Sequence, residues 1–315
     1  MERLYPAGFH QDQFVDDRRR LSCGQTYLGG NMRVDAKANG PVGAGRTTDL
    51  KTLELLSRDL AMLATAARYN LDDRSHRARS NADLVRLFFD LAGLAGIDLF
   101  VEAGAKEAGA SRRARRRFSS ARVVAFEANP YTYERFAGGN TEIEYAHLAL
   151  SDSVGPVIFH VHRDERGAPT PDGQASLLKR DAAPTDRERG FEEVTVDGTT
   201  LDTFFADGQC ETAAMWIDVE GACGFVLPGA RELLAKTAVL IVEVEDREYW
   251  GTHQWLREQV VSYLYDFGLV PVARDFQSTH QYNIVLVRAA LLDGPSRLRA
   301  SLARFTSQAF AQSGD

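Results

Sequence analysis

VAFEANP at residues 124–130 and WIDVEG at residues 216–221 are two apolar runs that end in carboxylates. A short apolar run bounded by polar residues is typical of a strand buried on both faces within a parallel sheet. Carboxylates at the carboxyl end of such a strand lie at the edge where open α/β sheets bind ligands. The two stretches therefore predict a parallel α/β sheet with an acidic small-molecule site along one edge.

Strands and helices continue to alternate from residue 97 onward. Seven strands are predicted: 98–102, 122–127, 144–150, 214–218, 239–245, 269–274 and 282–287. Alternation of this kind predicts a doubly wound, mostly parallel sheet that is covered by helices on both faces. Only a short polar stretch separates the last two strands, and such connections join antiparallel neighbours. The predicted fold is therefore a seven-stranded α/β sheet whose last strand is antiparallel.

The chain before and after this sheet has a different organisation. Leucines recur at helical spacing from Leu53 to Leu63, and a second helix is predicted between Asn81 and Gly96. In contrast, the glycine-rich N-terminal segment shows no sustained periodicity. We expect four parts: a loosely ordered extension over 1–48, a helical region over 49–96, the sheet domain over 97–290 and a C-terminal helix over 291–315.

The composition excludes several classes of protein. With 37 basic and 44 acidic residues the net charge is −7, which argues against binding nucleic acid or anionic membranes through a basic surface. The three cysteines show neither paired nor metal-ligand spacing, as expected in a reducing compartment. The sequence shows no secretion signal and no apolar run long enough to cross a bilayer. We therefore expect a cytoplasmic protein.

The first predicted strand ends in a glycine-rich turn, EAGAKEAG at residues 102–109. Such a turn lets a ligand approach the backbone in front of a helix N-terminus. It is not the dinucleotide-binding G-x-G-x-x-G, and Ala110 stands where a phosphate-binding loop requires lysine. Glu127, at the end of the second strand, is placed to accept hydrogen bonds from both hydroxyls of a ribose. The alternative for Glu127 is an ordinary surface carboxylate at a strand end.

Asp218 and Glu220 alternate at the end of the fourth predicted strand, so their side chains point to one face. Paired carboxylates can supply a general base or hold a cation. Alternatively, one positions a cofactor and the other caps the helix that follows Gly221. We assign no metal ligand, since His160 and His162 share a strand face but have no third zinc ligand at a convincing spacing.

Glu243 and Glu245 end the fifth predicted strand and also share a face. Tyr249, Trp250 and His253 follow directly. Aromatic rings beside carboxylates suit a polyhydroxylated substrate, and His253 is a candidate base because imidazole titrates near neutrality. The alternative is a helix entry with packed aromatic residues.

The order of these motifs resembles the FkbM-type methyltransferases over about residues 97–288. The matching segments are Glu102-x-Gly104, AFEANP at 125–130, ALSD at 149–152, ASL at 175–177, TLD at 200–202, IDVEG at 217–221 and Gly229-Ala230. The resemblance implies the class I, Rossmann-like methyltransferase fold. It also implies S-adenosylmethionine as cofactor and methyl transfer to a hydroxyl of a small-molecule acceptor, such as a sugar, a glycolipid or another natural product.

The resemblance also implies roles for single residues. The cofactor-binding residues would be Glu102, Gly104, Ala105, Glu127, Ala128, Asn129, Ser151, Asp152 and Asp218. Within that set, Glu102 and Gly104 would line the methionine side, Glu127 would bind the ribose, and the Ser151–Asp152 turn would lie near adenine. The catalytic residues would be Asp218, Glu220 and His253, and the acceptor would contact Glu243, Glu245, Tyr249 and Trp250.

The chain departs from the family pattern in its first motif. Glu102 replaces an aspartate, Lys106 replaces an asparagine, and the closing glycine, Gly109, comes one place late. Two other functions therefore stay open beside the methyltransferase. One is an NAD(P)-dependent oxidoreductase, and the other is a non-catalytic scaffold domain of the same fold.

Overall fold

The computed structural model describes residues 50–171, 173–180, 190–208, 210–293 and 297–307, so the extension predicted over 1–48 lies outside the described residues. The helices are α1 (Leu50–Ala64), α2 (Arg74–Ala95), α3 (Gly109–Arg117), α4 (Pro130–Phe136), α5 (Leu201–Phe204), α6 (Cys223–Val226), α7 (Arg231–Lys236), α8 (Arg257–Asp266) and α9 (Arg297–Ser307). The strands are β1 (Leu99–Ala103), β2 (Arg122–Glu127), β3 (Glu144–His147), β4 (Ala149–Leu150), β5 (Gly155–His162), β6 (Phe191–Thr199), β7 (Ala213–Ile217), β8 (Thr237–Glu245), β9 (Leu269–Arg274) and β10 (Gln281–Arg288).

Seven of these strands form the predicted sheet, in the order β3-β2-β1-β7-β8-β10-β9. Strand β10 runs antiparallel to both of its neighbours, and the other pairings are parallel. The short connection between β9 and β10 leaves no room for a helical crossover, so the chain turns back on itself. The predicted fold class, including the antiparallel last strand and the N-terminal helices, is confirmed.

Both faces of the sheet are covered by apolar side chains. On one face, Phe88 and Phe89 of α2 are fully buried and contact the rings of Phe100 and Trp216. On the other face, side chains from α5 to α8 pack against β7 and β8 around Met215. Helix α2 is therefore an integral layer of the fold, because its phenylalanines fill one of the two cores.

Helix α2 begins earlier than the sequence pattern predicts. The polar stretch over residues 72–80 is predicted as a connection, but the helix starts at Arg74, where the Asp73 carboxylate caps it by accepting from the Ser75 amide at 2.7 Å. The first turns of the helix are largely exposed to solvent, so their side chains are mostly polar. Without apolar residues at helical spacing, the sequence gives no sign of a helix there. The end of α2 is as predicted, with Gly96 in the left-handed conformation at φ 68°.

A second sheet was not predicted. The strand predicted over 144–150 divides into β3 and β4, and β4 pairs with β6 while β6 pairs with β5. The long segment from Arg163 to Gly190 connects β5 to β6, and its described part pairs with the end of β5, where Ser176 lies opposite His160 and Pro169 opposite Arg163. The described helices include none that is both long and apolar enough to cross a membrane.

Candidate functional site

A cavity of ≈ 570 Å³, including its open mouth, lies at the carboxyl ends of β1, β2 and β7. Open α/β sheets bind their ligands at this edge. Its apolar wall includes Phe126, Leu148, Leu150, Phe159, Leu177 and Val226. Of the predicted site residues, the cavity is lined by Gly104, Glu127, Ala128, Asp218 and Glu220.

Gly104 brings the loops after β1 and β7 into contact. Its φ is 77°, and a Cβ atom added there would lie 1.8 Å from the carbonyl oxygen of Asp218. Such a separation is impossible for real atoms, so any other residue would force the two loops apart. The glycine that the family motif requires is therefore explained by close approach of the backbone as well as by its positive φ.

The backbone of these two loops is strained elsewhere as well. Among the described residues, the non-glycine positions with positive φ are Lys106 at 47°, Ala108 at 58° and Glu220 at 48°. L-residues rarely adopt this region, and strain of this kind concentrates at functional sites. All three positions lie in the loops that follow β1 and β7, which supports a function for this edge of the sheet.

Glu127 is held in place by backbone donors. Its two carboxylate oxygens accept from the Lys106 amide and the Asn129 amide, both at 2.7 Å. Burial raises the pKa of Glu127 to about 7, although these hydrogen bonds favour the ionised form. Asn129 itself is buried, and its side chain caps α4 by accepting from the Tyr131 amide at 3.0 Å. Asn129 therefore positions Glu127 and is not among the residues that line the cavity.

Glu102 is placed differently from the role that the resemblance implies. Its carboxylate caps the N-terminus of α3, where it accepts from the amides of Ala110 at 3.3 Å and Ser111 at 2.7 Å. Burial raises the pKa of Glu102 to about 7. Neither Glu102 nor the buried Ala105 lines the cavity, so both act on the site through the loop that carries Gly104.

Lys106 places a cation inside the cavity. Its ammonium lies near the carboxylates of Glu127 and Asp218, and its charge favours the ionised form of both. The end of its side chain passes beside Gly173, where an added Cβ would be 3.5 Å from Lys106 Nζ. The cation that replaces the usual asparagine thus faces the same space as the predicted cofactor residues.

The carboxylates of strands β7 and β8 meet at the edge of this cavity. One oxygen each from Asp218, Glu220 and Glu243 lie within 4.8 Å of one another. Burial raises the pKa of each, and repulsion between the carboxylates adds to the effect at Glu220 and Glu243. Glu245, two residues beyond Glu243, is also buried, and burial raises its pKa to about 7. The predicted pairs therefore form one cluster, which we call the carboxylate cluster: Asp218, Glu220, Glu243 and Glu245.

Three residues near this cluster were not identified from the sequence. Gln281 donates to Glu243 at 2.9 Å and to Glu220 at 3.4 Å. The charge of Arg180 favours the ionised forms of Glu220 and Glu245. Ser176, in the segment 173–180, donates its hydroxyl to the Glu220 carbonyl at 2.8 Å. Ser176 belongs to the Ala-Ser-Leu motif, which could have indicated its position near the site. No local sequence pattern indicates the positions of Gln281 and Arg180.

The aromatic residues after β8 are not an open surface. Trp250 is 2% exposed, and its ring lies so close to Gly221 that an added Cβ would meet it at 2.3 Å. The guanidinium of Arg180 lies over the same ring, 5.4 Å from its centre. The expectation that Trp250 offers a face for stacking is thus not supported in this conformation. Tyr249 is half-buried, and His253 is exposed in the turn after Gly251.

The Ser151–Asp152 turn lies beside the cavity rather than in its wall. Ser151 is buried and Asp152 is exposed, while the preceding residues from Leu148 to Leu150 line the cavity. The Ser151 carbonyl packs against Gly229, where an added Cβ would meet it at 2.3 Å. This contact explains the glycine of the Gly229-Ala230 motif.

The sequence matches a known family model and a known methyltransferase. A family model described as the methyltransferase FkbM domain matches residues 100–279. The chain is 25% identical over 182 residues to the 2-O-methyltransferase NoeI of Sinorhizobium fredii (strain NBRC 101917 / NGR234), and these residues cover 55% of the chain and 73% of NoeI.

Solved structures show similarity at low sequence identity. A methyltransferase FkbM from Methylobacillus flagellatus KT is 11% identical with a TM-score of 0.38, and the match covers 74% of this chain and 60% of that protein's length. The N-terminal domain of EvdMO1, solved in the presence of SAH and D-fucose, is 14% identical with a TM-score of 0.36, and the match covers 66% of this chain and 82% of that one. The fold itself is established by the strand order of the present chain.

Proposed function

The chain belongs to the FkbM methyltransferase family, and from this premise we propose that it is an S-adenosylmethionine-dependent O-methyltransferase of a hydroxylated small molecule. The acceptor class we propose is a sugar, a glycolipid or another natural product. The observation that carries the proposal is that Glu127 and Asp218, the predicted ribose and methyl-group residues, line one cavity.

The residues of the cavity fit the proposed cofactor. Glu127 is fixed by two backbone amides, and the remaining lone pairs of its carboxylate are suited to ribose hydroxyls. The apolar side chains around Phe126 and Leu150 suit an adenine ring, and Gly104 leaves the backbone accessible to the methionine portion. When bound, S-adenosylmethionine supplies a methyl group on a positively charged sulfur.

The carboxylate cluster is placed to handle the acceptor hydroxyl. Asp218 and Glu220 line the cavity, and Glu243 joins them from the next strand. Carboxylates accept hydrogen bonds from hydroxyls, so they would hold the acceptor oxygen close to the methyl group and take up its proton. The name of the relative NoeI specifies 2-O-methyl transfer, which supports a hydroxyl as the acceptor group.

His253 stays a less favoured candidate for the catalytic base. It is exposed and is not among the residues that line the cavity, whereas Asp218 and Glu220 are. Tyr249, half-buried beside Arg180, is the aromatic residue that we propose to border the acceptor.

Calorimetry with S-adenosylhomocysteine tests the cofactor assignment. Glu127→Ala should remove charge-assisted hydrogen bonds worth about 1.5–3 kcal/mol, which corresponds to roughly ten- to hundredfold in affinity. Glu144→Gln, an exposed carboxylate on the neighbouring strand β3, is the matched control and should bind like the wild type. Full retention of affinity in the folded Glu127→Ala protein would refute the ribose assignment.

Two alternatives predict different results. An oxidoreductase would be stabilised against thermal unfolding by NAD or NADP rather than by S-adenosylhomocysteine, and the family assignment argues against it. A scaffold would bind S-adenosylhomocysteine but transfer no methyl group to any hydroxyl in a broad screen of sugars and metabolites.

A further inference from the structure

We propose that the carboxylates of Asp218, Glu220 and Glu243 bind one divalent cation of the Mg²⁺, Mn²⁺ or Ca²⁺ class. One oxygen of each lies within 4.8 Å of the other two. Oxygens on opposite sides of one Ca²⁺ ion are about 4.6–5.2 Å apart, and around Mg²⁺ they are about 4.2 Å apart. The three oxygens therefore already lie within reach of a single ion, and small side-chain rotations would complete the coordination.

A second observation at the same cluster is the unpaired carboxylate oxygen of Glu245. This side chain is 2% exposed, and its Oε1 atom has no hydrogen-bond partner among the described residues. It lies two residues beyond Glu243 on the same strand face, and its charge acts on both Glu243 and Glu220. A buried carboxylate oxygen without a donor is costly, so a cation beside it would remove an otherwise unfavourable arrangement.

The charge balance of the described residues also favours a doubly charged ion. The four carboxylates of the cluster face two cationic side chains, Lys106 near Asp218 and Arg180 near Glu220 and Glu245. When all four are ionised, their negative charge exceeds the positive charge of these two side chains, and Lys106 also acts on Glu127, so a divalent cation would offset part of the difference. The donors are all carboxylate oxygens, which suit hard cations and are poor ligands for zinc in the absence of His or Cys.

The role of this cation rests on the proposed function. Since Asp218 and Glu220 line the cavity, the open coordination positions of the ion would face the acceptor. Two neighbouring hydroxyls of one substrate can occupy two such positions, so we infer that the acceptor is a vicinal diol. The coordinated hydroxyl would give its proton to a cluster carboxylate, and its oxygen would bond to the methyl carbon while the carbon–sulfur bond breaks and sulfur keeps the electron pair.

Terbium luminescence tests cation binding without reference to activity. Trp250, whose ring lies against Gly221, is placed to transfer excitation to an ion at Glu220. We expect Tb³⁺ emission on excitation of the full-length wild type, and competition by Ca²⁺, Mn²⁺ or Mg²⁺. Glu243→Gln should weaken Tb³⁺ binding by at least about tenfold, because one charged ligand is lost. Glu248→Gln, an exposed carboxylate near the same strand, is the matched control and should bind as the wild type does.

Calorimetry with S-adenosylhomocysteine in the presence of a chelator separates this proposal from the proposed function. Both proposals are supported if the wild type binds S-adenosylhomocysteine and Tb³⁺, and if Tb³⁺ binding is weakened by Glu243→Gln but not by Glu248→Gln. S-adenosylhomocysteine binding without any cation binding overturns the cation site alone, and cation binding without S-adenosylhomocysteine binding overturns the function alone. Should Glu243→Gln fail to fold, Asp218→Asn provides the same comparison, and equal Tb³⁺ affinity in the folded variant and the wild type would also overturn the site.

Discussion

Gly104 couples the cofactor loop to the carboxylate cluster, because the Asp218 carbonyl occupies the space where a side chain would begin. Gly104→Ala should lower the free energy of unfolding by more than about 3 kcal/mol, since the left-handed φ costs about 1–2 kcal/mol and the overlap adds an overpacking cost. Gly138→Ala is the matched control, because Gly138 lacks a positive φ and an added Cβ would meet nothing within 4 Å.

Urea denaturation of both variants measures the difference, and Gly138→Ala should stay within about 0.5 kcal/mol of the wild type. Equal stability of the two variants would mean that the loops after β1 and β7 can separate freely. The close contact at Gly104 would then have no structural role.

Glu102 makes the stability of the protein depend on pH. Its pKa is raised by burial from an ordinary 4.5 to about 7 in the folded state. Between these two values the unfolded chain has released the proton while the folded chain keeps it, so this group makes stability fall as pH rises from about 4.5 to 7 and has no further effect above that. Glu102→Gln removes the ionisation, and its stability relative to the wild type should rise by about 2–3 kcal/mol across that window.

Urea denaturation at pH 4.5 and pH 8 measures this change. The exposed variant Glu142→Gln is the control and should leave the pH dependence of the wild type in place. A constant difference between Glu102→Gln and the wild type at the two pH values would show that Glu102 is already ionised in the folded state.

At the level of secondary structure, the strands of the main sheet were predictable because they are buried on both faces. Strand β8, from Thr237 to Glu245, reads as a nearly continuous apolar run, and the antiparallel β10 follows from a connection too short for a helix. By contrast, β5 and β6 alternate between exposed and buried residues, and the long connection from Arg163 to Gly190 separates them. Their pairing depends on contacts between residues that are far apart in the sequence, and a local pattern gives no information about such contacts.

Helix α1 shows a related difference between pattern and packing. Leucines at helical spacing identify the helix, yet Leu53, Leu56, Leu60 and Leu63 are each between 48% and 62% exposed. The helix instead buries Met62. Periodicity therefore predicted that a helix forms but not which of its faces packs against the sheet, because that choice depends on where α1 meets the rest of the chain.

The candidate site was predictable where a motif fixes the backbone and not where side chains arrive from distant elements. Glu127 and Asp218 follow apolar strands, so their position at the edge of the sheet was evident from the sequence. Gln281 reaches the carboxylate cluster because it lies opposite Glu245 in the antiparallel pairing of β10 with β8. That register is fixed by the whole sheet, so no local signal near Gln281 indicates its role.

The whole molecule depends on the helical region before the sheet. The family match begins at residue 100, but Phe88 and Phe89 of α2 fill the core on one face of β1 and β7. Burying a large apolar side chain contributes about 1.5–3 kcal/mol, while a typical domain is stable by only about 5–15 kcal/mol in total. The matched region is therefore expected to be unstable by itself.

We expect residues 48–315 to unfold cooperatively, because they form one compact unit by themselves. Residues 97–315, which lack α1 and α2, should show no cooperative transition in urea, since one face of the sheet would be exposed. In the full chain, the single change Phe88→Ala should cost about 3–5 kcal/mol. It should leave the affinity for S-adenosylhomocysteine unchanged, since Phe88 packs on the face of the sheet away from the cavity lining. Cooperative unfolding of residues 97–315 would show that the methyltransferase sheet is complete without α2, and that the aromatic contacts of Phe88 and Phe89 are dispensable for folding.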